Sequence, residues 1–254
     1  MNTFVEVCMG LFMRDDEYDE SRRMVGFRRY QQLLSFYAGH WTVLGLIVFV
    51  SSLPLIAAIV FAILSTSVLI LIPGSFVGGM IMAPFLAALI DSIQRGLRDD
   101  SGRRWDNYRK GLRQNVRCSL VPGGILGVFV GTYVFLFYLQ IYTDLLVLSK
   151  ATFVLLFVAA ILMLNFQNLY WPQMVLFVQP QRTTFVNILL FSSKYLWKVL
   201  KLALIELALI AFVVVFAPYT LILVPVLMSW YLPFLSQYMI YDQLNQELEI
   251  EDKF

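Results

Sequence analysis

The sequence predicts an all-α, polytopic membrane protein with six transmembrane helices and both termini cytoplasmic. Three observations carry that expectation. The chain of 254 residues is 59 % hydrophobic and only 14 % charged, where a soluble domain has about a quarter of its residues charged. The apolar residues come in blocks of about twenty, the length needed to cross hydrocarbon as a helix. Charge is segregated between the blocks, most densely from Gln94 to Arg117, where eight Lys and Arg face three Asp. The mean hydropathy of +0.74 agrees.

Residues 1–40 are expected to form a cytoplasmic or interfacial segment. An acidic run (Asp15, Asp16, Glu17, Asp19, Glu20) precedes Arg22, Arg23, Arg28 and Arg29, and Phe27, Tyr30, Leu33, Leu34 and Tyr37 recur at helical spacing. Such a pattern predicts a short interfacial helix with its basic side toward headgroups. The apolar run from Trp41 is too long for one span, so it divides into helices near 41–64 and 68–94 with a turn at Ser65, Thr66 and Ser67. Pro54 and Pro84 lie inside these spans; each removes a backbone donor and bends its helix. The basic segment 95–118 is read as a cytoplasmic loop. A third span follows near 119–142, then a turn with Asp144 and Lys150, and a fourth near 151–176 that ends in aromatics and Pro172. Residues 177–197 form a connection, the fifth and sixth spans lie near 198–217 and 219–241 on either side of Pro218, and 242–254 is an acidic, polar cytoplasmic tail. The transmembrane domain is therefore 41–241.

This division puts eighteen of the nineteen Lys and Arg on one side, with only Lys150 on the other. The side rich in Lys and Arg is the cytoplasmic one. No cleavable signal peptide is expected from Met1–Met13, which carries Glu6 and no early cation. Cys8 and Cys118 fall on the reducing side and are expected to be inert thiols.

Two rows of small residues mark a packing face. Ser75, Gly79, Ala83 and Ala87 repeat every four residues on the second span, with Asp91 next in the row. Ser119, Gly123, Gly127 and Gly131 do the same on the third. Small side chains let backbones approach closely in lipid, so these antiparallel neighbours are expected to pack together; a homodimer face is the other use of such a motif.

Glu206 is the sharpest polar residue. It lies about 12 Å into a helix entering near Lys198, with Leu202 and Ala203 at the positions where a cation on its own helix would have to stand. A carboxylate at that depth needs a partner on another helix, a wet cavity or a proton. The fourth span places Asn165, Gln167 and Asn168 at comparable depth, so these four residues form a candidate intramembrane polar site; an interhelical hydrogen bond of purely structural value is the plainer alternative.

Catalytic chemistry has little to stand on. His40, the single histidine, sits beside Trp41 at the membrane boundary and reads as a headgroup-level residue. One His and two separated Cys do not make a zinc or iron site, so no metal or cofactor is expected. Pro73–Gly79 is glycine-rich but lacks the Lys-Ser/Thr of a phosphate loop. The basic segment is accounted for by anionic lipid and membrane orientation, so no nucleic-acid partner is expected. Its amphipathic part sets Trp105, Tyr108 and Leu112 on one side, with Arg103, Arg109, Lys110 and Arg113 mostly elsewhere; these residues form a candidate contact surface.

The stretch Ala83-Pro84-Phe85-Leu86-Ala87-Ala88-Leu89, then Arg95-Gly96, then Trp105-Asp106-Asn107-Tyr108-Arg109-Lys110-Gly111-Leu112-Arg113-Gln114-Asn115, resembles the YesL-type (DUF624) membrane proteins. Residues Asn187–Leu204, with Lys194, Tyr195 and Lys198, are similar to their basic entry into the fifth span. The resemblance covers about a third of the chain and departs from the family in the long apolar interval between Pro54 and Ala83. It implies a multi-pass protein of the bacterial inner membrane, often encoded beside carbohydrate importers, and supplies no catalytic residues. The expected function is non-enzymatic: an accessory subunit of a transport system for carbohydrate uptake, with the bilayer and another transport subunit as partners. The alternative is a self-sufficient small-solute transporter or channel with a polar cavity around Glu206.

Overall fold

The computed structural model describes residues 24–100, 102–143, 149–177, 179–217, 219–220 and 222–253. The N-terminal acidic run, Arg14, Arg22, Arg23, Cys8, Asp144 and Pro218 lie outside the described residues. Over the rest the chain is helical: α1 (Phe27–Ser65), α2 (Val68–Leu97), α3 (Arg104–Tyr142), α4 (Lys150–Leu176), α5 (Gln181–Lys194) and α6 (Leu196–Val215). A π-helical segment, Val224–Met228, leads into α7 (Ser229–Leu248), and one turn, α8 (Ile250–Lys253), ends the chain. Among the described residues there is no strand. Helices α1 to α4 are long and apolar enough to cross a membrane, the mark of a membrane protein. The shorter α6 carries Lys198, Lys201 and Glu206, and the sixth apolar block is divided between the π-helical segment and α7.

Helix boundaries differ from the sequence reading in three instructive places. Residues 27–37 are not a separate interfacial helix: α1 runs unbroken for 39 residues, about 58 Å against a hydrocarbon thickness of about 30 Å. The segment 95–118 is not a loop. Its first residues close α2, of its described residues only 98–100, 102 and 103 are non-helical, and Arg104–Cys118 forms the opening turns of α3, which is again 39 residues long. The tail is not free either, because α7 continues to Leu248 and Ile250 and Leu244 are fully buried. By contrast the turn at Ser65–Ser67 is where the polar residues placed it. Thr66 takes a left-handed conformation (φ 49°) and its N–H closes α1 on Ala62 and Ile63.

The first three helices form a tight antiparallel set. A Cβ added to Gly79 would overlap the Gly123 carbonyl oxygen and come within 2.9 Å of the Gly127 Cα. One added to Gly123 would overlap the Ala83 methyl, and one added to Gly131 would overlap the Ser75 hydroxyl. The two small-residue rows therefore meet backbone to backbone between α2 and α3. At that distance many atom pairs sit near their dispersion minimum, which is the main source of helix association where lipid tails are as apolar as leucine. The same device joins α1 to α2: a Cβ on Gly78 would lie 2.7 Å from the backbone nitrogen of Leu55.

Aromatic side chains dock α7 onto α1. Trp41 is fully buried, with Phe234 at 4.8 Å and Tyr37 at 5.2 Å between ring centroids. Tyr30 and Tyr231 hydroxyls meet at 2.7 Å, and the Tyr238 hydroxyl donates to the Gly26 carbonyl at 2.8 Å. His40 and Trp41 are thus buried in the bundle: His40 is 1 % exposed, and neither ring nitrogen has a hydrogen-bond partner among the described residues.

Candidate functional site

Polar groups line up through the half of the bundle built from α2, α4, α6 and α7. Glu206 on α6 is 4 % exposed, and Asn168 Nδ2 of α4 donates to its Oε2 at 2.7 Å. The backbone carbonyl of Asn168 accepts from Gln237 Nε2 of α7 at 3.1 Å. Gln237 Oε1 in turn accepts from Gln94 Nε2 of α2 at 2.7 Å. Four helices are therefore joined by three hydrogen bonds, with Gln94 and Gln237 buried to 1 % exposure or less.

One link follows from proline chemistry. A helix residue donates its N–H to the carbonyl four positions back, and Pro172 has none to give to Asn168. The freed carbonyl would be unsatisfied in an apolar bundle, a cost that membrane helices avoid through a neighbour's side chain. Gln237 is that neighbour. Pro172 was the sequence signal for it, but only the fold could say which amide would answer.

The other members of the expected site are arranged differently. Asn165 Oδ1 is buried and has no partner among the described residues, and the amide that donates to Glu206 is that of Asn168. Gln167 turns back along α4, accepting from the Trp171 indole N–H and donating to Met163 Sδ at 3.9 Å. Of the three polar residues placed at this depth, Asn168 alone bonds Glu206. Gln94, Gln237 and Gln173, the last 1 % exposed with an unpartnered Oε1, belong to the buried polar system and escaped the sequence reading.

A second polar layer closes the basic end of the bundle. Arg29 Nη2 donates to Asp99 Oδ1 at 2.5 Å, with side-chain exposures of 8 % and 1 %. Asp99 reaches this position from a left-handed backbone (φ 60°) just past α2. Arg95 bridges Asp91 at 3.1 Å and Asp100 at 2.6 Å. Gly111 makes room for Asp91, since a Cβ there would stand 2.6 Å from its Oδ2. Asp91, the last residue of the small-residue row, thus ends the packing face with an ion pair. Beside this layer a cavity of about 330 Å³ opens between the start of α1, the end of α2 and α7, lined by Arg29, Leu33, Leu97, Tyr238, Tyr241 and Asp242 among others.

The expected contact surface on α3 divides in two. Tyr108 is 2 % exposed, and both Tyr108 and Trp105 pack with Leu97 and Trp41 in the cluster under α1 and α2. Tyr108 is buried in the bundle and Trp105 is half-buried against it, the apolar side of an amphipathic helix turned toward its own neighbours. Arg104 turns inward with them, over the Phe36 and Tyr37 rings at 4.5 and 4.6 Å. The outward side keeps Arg103, Arg109, Lys110 and Arg113, with Arg117 continuing the row. Arg109 stacks over Trp105 at 5.1 Å and Arg103 lies 4.0 Å from Asp106. Among the described residues Lys110, Arg113 and Arg117 make no ion pair. No group of three or more His, Cys, Asp or Glu able to hold a metal ion occurs among the described residues.

Comparison of the chain with family models, with curated proteins and with solved structures returned no match.

Proposed function

We propose that the chain is a non-enzymatic six-span protein of the bacterial inner membrane, with cytoplasmic termini, that serves as an accessory subunit of a transport system. One observation carries this reading. Arg109, Lys110, Arg113 and Arg117 stand exposed along one side of a helix that is itself anchored by backbone-to-backbone packing. A row of cations on a fixed helix beside a membrane surface favours an acidic partner, because the packed backbone holds the spacing of the charges and complementary charge steers encounter. Carbohydrate uptake as the process, and membership of the YesL-type family, rest on the sequence resemblance alone.

A second reading, a self-sufficient small-solute transporter, has its own support. Glu206 is a buried carboxylate whose partner is neutral, and intramembrane carboxylates commonly mark ion or substrate routes. The hydrogen-bonded series from Gln94 to Glu206 is equally suited to a structural joint, and it is assigned that role here.

Two measurements test the proposal. Single cysteines at Ser65 and Ser149, in a background without Cys8 and Cys118, should react with an impermeant thiol reagent on intact cells, and one at Arg103 should not. Labelling at Arg103 from outside would reverse the orientation. Purification in mild detergent should then retain a transport subunit with Glu206→Gln and lose it when Arg109, Lys110, Arg113 and Arg117 are all changed to Gln. Solute uptake by the purified chain alone in liposomes, abolished by Glu206→Gln, would replace the accessory reading with the transporter.

A further inference from the structure

The connection between α4 and α6 holds a feature that neither reading uses. Residues Gln181–Lys194 form the helix α5, about 21 Å long and too short to cross hydrocarbon about 30 Å thick. With successive residues 100° apart, its side chains fall into three sectors. Thr184, Ile188 and Phe191 face the bundle and are buried, the last two in the core shared with Leu169, Tyr170 and Leu202. Phe185, Val186, Leu189 and Leu190 form a second sector, 51 %, 45 %, 55 % and 63 % exposed. Thr183, Asn187 and Lys194 make the third, polar sector. The buried Thr184, Ile188 and Phe191 set the rotation of α5 about its axis, and the exposed pair of Lys194 with Glu247 of α7 at 2.6 Å is consistent with it.

Four large apolar side chains together on an outer face call for a cover. Leu196 and Trp197, in the first turn of α6 directly after α5, are 54 % and 73 % exposed. The charges along this stretch of chain are all of one sign: between Phe177 and Ile205 the sequence has Arg182, Lys194, Lys198 and Lys201 and no Asp or Glu, and Glu247 of α7 engages only Lys194 among them. An apolar face bordered by cations, with a Trp beside it, is the chemistry of the boundary between acyl chains and anionic headgroups.

We propose that α5 lies in the plane of the membrane, with Phe185, Val186, Leu189 and Leu190 seated among the acyl chains of the leaflet at the basic end, and with Arg182, Lys198 and Lys201 at its anionic headgroups. The connection is then an interfacial anchor that couples the entry of α6, and so the depth of Glu206, to that leaflet. An aqueous protein partner is disfavoured because the middle of the face, formed by Phe185, Val186, Leu189 and Leu190, has no polar group to fix a register, Arg182 and Ser193 standing only at its two ends.

Fluorescent labelling of the full chain tests this. Single cysteines at Leu190 and at Asn187, with Cys8 and Cys118 replaced by Ser, carry a small fluorophore, and the protein is reconstituted into phosphatidylethanolamine–phosphatidylglycerol vesicles. Acyl chains brominated near the headgroup should cut emission at Leu190 by about twofold or more, as expected of a site at the acyl boundary. Iodide on both sides of the membrane should quench Asn187 and leave Leu190 bright. Quenching of Leu190 by iodide and not by bromine would place the face in water. Protection from both would mean that protein covers it, and either result overturns the proposal. Leu189→Cys repeats the measurement should the Leu190 variant not fold. Phosphatidylglycerol should also stabilise the wild-type chain in detergent more than phosphatidylcholine does, and that difference should shrink in Arg182→Gln/Lys201→Gln. Equal stabilisation by the two lipids would remove the headgroup part of the assignment.

Discussion

The α2–α3 seam and the α4–α6–α7 half of the bundle are held by opposite means. In the seam, glycine and alanine rows bring backbones into direct contact, and the stabilisation is dispersion summed over many atom pairs. In the other half, one carboxylate and three side-chain amides pin helices that expose much of their apolar surface: Val154, Leu155 and Leu162 on α4 are 63 %, 68 % and 63 % exposed. The difference teaches where each kind of change should hurt. A seam without side chains cannot absorb one, whereas a hydrogen-bonded joint loses the bond that is removed and the satisfaction of the partner left behind.

The largest effect is therefore expected at the seam. A Cβ on Gly127 would already overlap the Ser75 carbonyl oxygen, so Gly127→Leu must separate the two helices and should cost about 3 kcal/mol or more. Thermal unfolding in detergent reads this directly; Ala151→Leu, at an exposed position of α4, lies outside the seam, and equal melting temperatures for the two variants would mean that the rows do not hold the helices. Arg29→Met follows closely. It breaks the 2.5 Å ion pair with the buried Asp99, a loss of about 3 kcal/mol, and Arg29→Met/Asp99→Asn should recover most of it in a double-mutant cycle.

The polar joint should give smaller losses. Glu206→Ala removes one interhelical bond, worth about 1 kcal/mol in a membrane bundle, while Glu206→Gln keeps a group for Asn168 and should be nearly neutral. Gln237→Leu should cost slightly more than Glu206→Ala because it breaks the link to Gln94 and leaves the Asn168 carbonyl bare. If Gln237→Leu proves as damaging as Gly127→Leu, the two halves do not differ in the way described.

The smallest expected effect lies at the surface joint of α5 and α7. Hydrogen bonds from Lys194 and Tyr195 hold the Glu247 carboxyl below its ordinary 4.5, and the bond to Glu247 raises Lys194 above 10.5. A depressed carboxylate contributes stability that is present above its unfolded value and is lost as pH falls through the lower, folded one. A raised lysine contributes below its unfolded value and loses that contribution as pH rises. The pair should thus support α5 across neutral pH and release it at both extremes. Glu247→Gln should flatten the acid side of the melting-temperature profile, measured from pH 3 to pH 7, by a small margin at most, since the pair is exposed to solvent.

What the sequence determined by itself is what depends on short-range pattern and on solvent. Apolar blocks of bilayer length made helices inevitable, because a backbone in lipid must satisfy its hydrogen bonds within one segment. The four-residue repeat of small side chains located the α2–α3 contact, since a helix puts every fourth residue on one face. Ser65–Ser67 marked a turn and Glu206 announced that it needed a partner. Tertiary structure decided what depends on which helices are neighbours. Trp105 and Tyr108 turned inward because α1 and α2 offered them an apolar surface that the sequence of α3 does not reveal. Asn168, and neither Asn165 nor Gln167, met Glu206 because the rotation of α4 against α6 selects one residue of three. Gln94 and Gln237 came together across 143 positions of chain. No local period encodes such a pair, and only the packing of α7 against α2 and α4 brings the two amides within bonding distance.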